Sequence, residues 1–371
     1  MKTSQELLNE HTNRLLAAVA LEKADRVPVV LGVDSFCAQH MGITLAEFIS
    51  DANKSSEIIL KSMLDLGDID GTLNTQVNAY AAGPVFLSNN KLPGRDLGKN
   101  ELWQVDEVAL MTLEDYDTII DKGYNYFFAD YLKNRLPKAG ADFKYFLESS
   151  DMEKNTMNFV NAGIVPFAPV PLMPPFDYFC CGRGLSNFMK DMFKNKDKVQ
   201  AAADAAMVDI LAGVRQQIRA AKPFSVFVGA PRSASEFVSP KIWQRFIWPY
   251  LKQCVETVVE EGAIAYLHLD ANWDRDLEYF LELPKGKCIW GSDYATDIFK
   301  IKKVLGDHMC ILGDVPAALL VLGTPDEVYN YSTKLINEIG PSGFILAQAC
   351  YVPANAKVEN VKAMVSAATG K

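Results

Sequence analysis

The chain has no apolar run near the roughly 18 residues that a bilayer-spanning helix requires, so nothing in it predicts a membrane span. Positive charge is also scarce: 37 Lys and Arg stand against 46 Asp and Glu, a net charge of −9. That balance argues against a nucleic-acid partner, because phosphate neutralisation needs clustered cations. There is no short repeat, low-complexity tract or long charge run. The first residues, MKTSQELLNEHTNRLL, read as a polar helix rather than a signal peptide. Seven cysteines, an odd number in 371 residues, point to reduced thiols and a cytoplasmic protein. The adjacent pair Cys180-Cys181 lacks the spacing of a Cys-x-x-Cys site and reads as two small wall residues.

What is present is the balance of a globular protein, with 49% hydrophobic and 22% charged residues. Short apolar runs alternate with amphipathic stretches, the pattern of βα units around a parallel sheet. The runs predict strands at Val27–Leu31, near Asp70–Leu73, and at Gly163–Ala168, Phe224–Val228, Ala263–His268, Lys287–Trp290, Met309–Leu312 and Phe344–Ala347. They are continuously apolar because helices cover the outside of a parallel sheet. Helix starts are marked by Ser239-Pro240 and by Thr324-Pro325-Asp326-Glu327, a cap with a capping-box Glu. Residues 197–221 and 240–260 carry helical periodicity. Eight units without a linker predict an α/β chain folded as one (β/α)8 TIM-like barrel over 1–371. Residues 1–24 form an N-terminal helical addition, and about 83–151 an insertion near the barrel mouth.

In such a barrel the segments after the strands form the active face. His268 and Asp270 end the fifth strand two residues apart, so their side chains share a face. Cys350 ends the eighth. Together they offer nitrogen, oxygen and sulfur to one metal with a coordination position left open, the pattern of catalytic rather than structural zinc. The alternatives are a hydrogen-bonded His268 and an Asp270 that only orients it. Cys310, inside the seventh strand, is a reserve sulfur that reads as core. Met173, Phe176 and Tyr178 lie in an apolar loop after the third strand, suited to the wall of a flat ligand. Arg232 places a cation on the same rim, for a substrate or a partner surface. Asp34 and Asp293 follow the first and sixth strands as candidate proton donors, and Trp273 and Tyr351 flank the proposed ligands.

Several segments, in this order, resemble the uroporphyrinogen decarboxylase superfamily and its corrinoid-dependent methyltransferase branch. They are Asp25-Arg26-Val27-Pro28-Val29, Ser239-Pro240, Leu312-Gly313-Asp314-Val315-Pro316, Gly323-Thr324-Pro325, Gly343-Phe344-Ile345-Leu346 and Val352-Pro353-Ala354-Asn355. The resemblance implies a single TIM-like barrel. The decarboxylase uses an arginine-rich segment after its first strand, whereas Leu31–His40 here holds no arginine. The methyltransferase branch carries a zinc motif of His-x-Cys with a distant Cys. His268 and Cys350 match it, and Asp270 replaces a thiolate. A carboxylate donates less electron density, which favours polarising an oxygen over binding a thiol. The resemblance thus implies a zinc enzyme that demethylates a methyl ether and passes the methyl group to the Co(I) corrinoid of a partner protein. The alternatives are methyl transfer between methylcobalamin and a thiol, and metal-free decarboxylation.

Overall fold

The computed structural model describes residues 2–370. Eight parallel strands close into a barrel. They are Val30–Leu31, Gly71–Thr72, a third in two pieces (Val165–Pro166 and Val170–Leu172), Ser225–Gly229, Ile264–Leu269, Cys288–Ser292, Cys310–Val315 and Phe344–Gln348. Each pairs with the next in sequence order. The ring is sealed where Val29 bridges Leu346 and the Leu346 N–H donates to the Pro28 carbonyl at 2.9 Å.

The third strand differs from its expected extent. It continues past Ala168, because its second piece pairs with the fourth strand (Val170↔Val226) while its first pairs with the second strand (Gly71↔Val165). Pro166, Pro169 and Pro171 each lack a donor, so the ladder cannot run unbroken. The segment after it is a helix, Pro175–Arg183, rather than a loop.

Between the second and third strands the chain forms a hairpin (Asn89–Lys91 with Gln104–Asp106) and five helices between Ala79 and Asn161. Inside the barrel, Val30, Leu73, Phe167, Tyr266, Ile289, Leu312 and Ile345 form a buried core. The first helix, Ser4–Val19, sends Leu15, Ala18 and Val19 into that core and caps its N-terminal end. The capping boxes Thr3–Glu6 and Thr324–Glu327 and the Ser239 cap all form. The stretch 240–260 is two helices, Pro240–Phe246 and Trp248–Glu260, parted before Pro249. No helix among the described residues is long and apolar enough to cross a membrane.

Candidate functional site

Alternation along the fifth strand turns Ala265, Leu267 and Leu269 outward toward the helices, and Tyr266, His268 and Asp270 toward the barrel axis. The Tyr266 ring fits because Gly291, paired with His268 on the sixth strand, has no side chain: an added Cβ there would come within 2.5 Å of the phenol ring. The Tyr266 hydroxyl lies 3.1 Å from His268 Nδ1. Phe227 of the fourth strand stacks on the imidazole, with ring centroids 5.2 Å apart. These contacts fix the ring and leave Nε2 facing up the barrel.

Around Nε2 the other two residues converge. Asp270 Oδ1 is 3.3 Å away and Cys350 Sγ 3.6 Å, and one donor atom from each residue falls within 4.8 Å of the others. Tetrahedral zinc, with bonds of about 2.1 Å to N or O and 2.3 Å to S, holds its donors roughly 3.4–3.6 Å apart. The two spacings from His268 Nε2 match that geometry, the third lies within 4.8 Å, and the donor set suits zinc in chemistry. If Nε2 binds a metal, Nδ1 must carry the ring proton and donate to the Tyr266 oxygen, the supporting bond common to metal-binding histidines. Burial works against charge on His268, but Tyr266, Asp270 and Cys350 together outweigh it and raise its pKa well above the ordinary value.

The loop after Asp270 is tied down bond by bond. Ala271, with φ of 67°, donates its N–H to Asp293 Oδ2 at 2.6 Å. The Trp273 indole donates to the Asp270 carbonyl at 2.7 Å, and its backbone N–H to Thr296 at 3.0 Å. Trp273 is fully buried and Asp270 one-third exposed, so a rigid base presents a reachable carboxylate. Asp293 accepts from Ala271 and Ala295. Burial raises its pKa, those two bonds oppose the rise, and the Asp270 charge adds to it. Cys350 is the one cysteine that reaches solvent among the described residues. Its carbonyl is held by Gln348 Nε2 at 2.7 Å.

The remaining sequence candidates spread around the rim. Asp34 caps the helix Ser35–His40, accepting from the Ser35 N–H. Burial raises its pKa, and that of Tyr351, which Asp34 and Cys350 raise further. Met173 lies beside Gly229, the residue paired with His268 across the fourth and fifth strands. Phe176 is 2% exposed and packs edge-on against Phe188, in the core rather than on an open wall. Tyr178 faces the Tyr124 ring at 5.2 Å. Arg232 forms an exposed ion pair with Glu107 of the segment between the second and third strands. Cys310 is fully buried and outside the donor cluster. Burial pushes the Cys180 thiol up to about 12, as expected for a wall residue.

Sequence reading missed two supports. Tyr266 sits two residues before His268, and strand alternation alone could have found it. Asp177 is fully buried, accepts from the Arg232 N–H and the Ser233 hydroxyl (both 2.7 Å), and is raised to about 7 by burial. Nothing local marks it, because its partners lie some fifty residues away.

The profile of the family described as uroporphyrinogen decarboxylase (URO-D) matches residues 167–370, which span the barrel from the third strand to the last helix. A solved methyltransferase from Methanosarcina mazei superposes with a TM-score of 0.70 at 17% identity, covering 96% of this chain and 97% of that one. At that identity the likeness is one of fold. No functionally curated protein matches the chain.

Proposed function

The chain belongs to the uroporphyrinogen decarboxylase (URO-D) family, and from that premise we propose that it is a zinc-dependent methyltransferase. In this reading it takes the methyl group of an aryl methyl ether and passes it to the Co(I) corrinoid of a separate protein. The observation that carries the reading is the convergence of His268 Nε2, Asp270 Oδ1 and Cys350 Sγ at the barrel mouth. Bound there, zinc would supply Lewis acidity toward the ether oxygen.

The protein's own residues do the rest. Tyr266 and Phe227 hold the imidazole, and Asp293 and Trp273 hold the backbone that carries Asp270. Asp34, at the end of the first strand with a carboxyl raised by burial, is assigned the protonation of the departing oxygen. Asp293 has both oxygens committed to backbone N–H groups, which suits a positioning role. Met173, beside the paired Gly229, supplies apolar wall. The M. mazei methyltransferase, similar in fold over nearly its whole length, is consistent with this reading.

The test is metal analysis of the purified protein followed by an assay of methyl transfer from an aryl methyl ether to Co(I) corrinoid. One zinc per chain and methylated corrinoid are expected, with His268→Ala losing both. A zinc-free active protein, or wild-type activity in His268→Ala, removes the proposal. Transfer to or from a thiol alone, with no ether turned over, moves the function to thiol methylation.

A further inference from the structure

On the rim where the first and eighth strands end, the surface holds a cavity of about 360 Å³. One wall is the helix Ser35–His40 that follows the first strand, through Ser35, Ala38 and Gln39. Asn100, from the loop of the hairpin, and Ala354, a few residues past Cys350, complete it. The Val352 N–H donates to the Gly32 carbonyl at 2.9 Å, which ties the chain leading to Ala354 against the end of the first strand. Ser35 acts on the Asp34 carboxyl through both its backbone and its side chain. The cavity wall therefore abuts the group assigned to protonate the departing oxygen.

Two bonds fix the hairpin loop against the helix Leu45–Ile49. The Ala46 N–H donates to the Lys99 carbonyl at 2.9 Å, and the Leu45 N–H to Asn100 Oδ1 at 3.3 Å. A backbone N–H can only donate, so Oδ1 is the atom facing Leu45, and Nδ2 is left as a free donor. The exposed Gln39 side chain, also without a partner among the described residues, offers a donor and an acceptor. Ile43 and Leu45 add apolar surface, and no charged residue lines the cavity.

A charged occupant would lose hydration in such a lining with no opposite charge to offset the loss. A primary amide is neutral and both donates and accepts, which the Gln39 and Asn100 amides can reciprocate. A corrin ring carries such amides on short arms around its edge, some of them on the face that bears the methyl group. We propose that this cavity is a subsite for an amide arm of the corrinoid, with Gln39 and Asn100 as the residues that recognise it. The inference rests on the reading that a corrinoid protein meets this mouth, and it adds where the edge of the ring is held. An arm seated there fixes the ring's rotation over the mouth, which contact at the cobalt alone cannot do.

Titration calorimetry of the full-length zinc-loaded protein with dicyanocobinamide, a protein-free corrinoid with amide arms, reads the subsite without any methyl transfer. Ala354→Phe fills the cavity, and Asn100→Asp keeps the acceptor for Leu45 while removing the free donor. Each variant, checked for native circular dichroism, should bind cobinamide roughly 10-fold more weakly. The heptamethyl ester of the same ring, whose arms accept but cannot donate, should bind wild type about as weakly as the variants bind the amide. With cob(I)inamide as methyl acceptor, KM should rise by the same factor while kcat stays within about twofold, the mark of binding lost equally from ground and transition states. The ester comparison needs no variant, and Asn100 is exposed should Ala354→Phe fail to fold. Wild-type affinity in both variants, equal binding of ester and amide, or no cobinamide binding by wild type overturns the inference and leaves the ether reading to its own assay. Weakened binding in the variants with no ether turned over keeps the subsite and removes the ether reading.

Discussion

At the N-terminal end of the barrel, the fully buried Asp70 accepts from Arg14, from Arg26 at 2.7 Å and from the Val29 N–H at 2.8 Å. Arg14 also grips Asp25 with two bonds of 2.7 Å. At the C-terminal end, Asp34, Asp270 and Asp293 are bonded to no lysine or arginine among the described residues. One end closes its charge balance within the chain. The other is left anionic, a balance that a cation would complete. This is the division of labour of a barrel enzyme, in which the bottom face holds the fold and the top face holds the chemistry.

The sharpest way to break the comparison is Asp70→Ala, which takes the one fully buried carboxylate from Arg14 and Arg26 and leaves them only Asp25 and Asp68. It should cost about 3–5 kcal/mol in urea unfolding, while zinc affinity of the folded fraction stays unchanged. If zinc binding falls with it, the two ends are not independent. Next comes Tyr266→Phe, which keeps the ring that Gly291 accommodates and removes only the hydroxyl facing His268 Nδ1. Competition with a zinc chelator should show affinity down roughly 10–100-fold, with little change in unfolding.

The smallest effects separate the ends by pH, and they have opposite signs. Asp177, at the mouth, has a folded pKa of about 7, above its ordinary unfolded value. Its contribution to stability is therefore full below about pH 4 and is lost as pH rises toward 7. Asp177→Asn should flatten that decline in unfolding curves measured from pH 4 to 8. Asp25, at the other end, is lowered to about 2 by Arg14. Its contribution is present above about pH 4 and lost as pH falls through 2. Because Asp25 is two-thirds exposed, Asp25→Asn should change acid stability only slightly.

The barrel was legible because each strand is an apolar run between turn signals, and all eight lie where those runs predicted. The third strand was cut short by its prolines, which carry the signal of a loop while standing in a sheet. Helix Pro175–Arg183 was missed for a different reason. It is buried on nearly every side, at Phe176, Asp177, Phe179, Cys180 and Cys181, so it has no polar face to produce a helical period. At the site, His268, Asp270 and Cys350 could be placed together because strand order and alternation bring them there. The cavity at Gln39, Asn100 and Ala354 could not be read from sequence. Its walls come from distant stretches of chain, and an Asn or Gln in a loop or at a helix end is ordinary.

The core beneath His268 bears on traffic through the molecule. Phe167, Tyr266, Leu312 and Ile345 fill the barrel axis, and the first helix stoppers its lower end. His268, Asp270 and Cys350 thus have a single approach, from above. Under the proposed function, the small ether and the bulky cobalt-bearing protein share that doorway. The ether must be seated before the protein docks, and the demethylated product can leave only after it departs. Order of events would then be imposed by architecture, with turnover paced by the coming and going of the larger visitor.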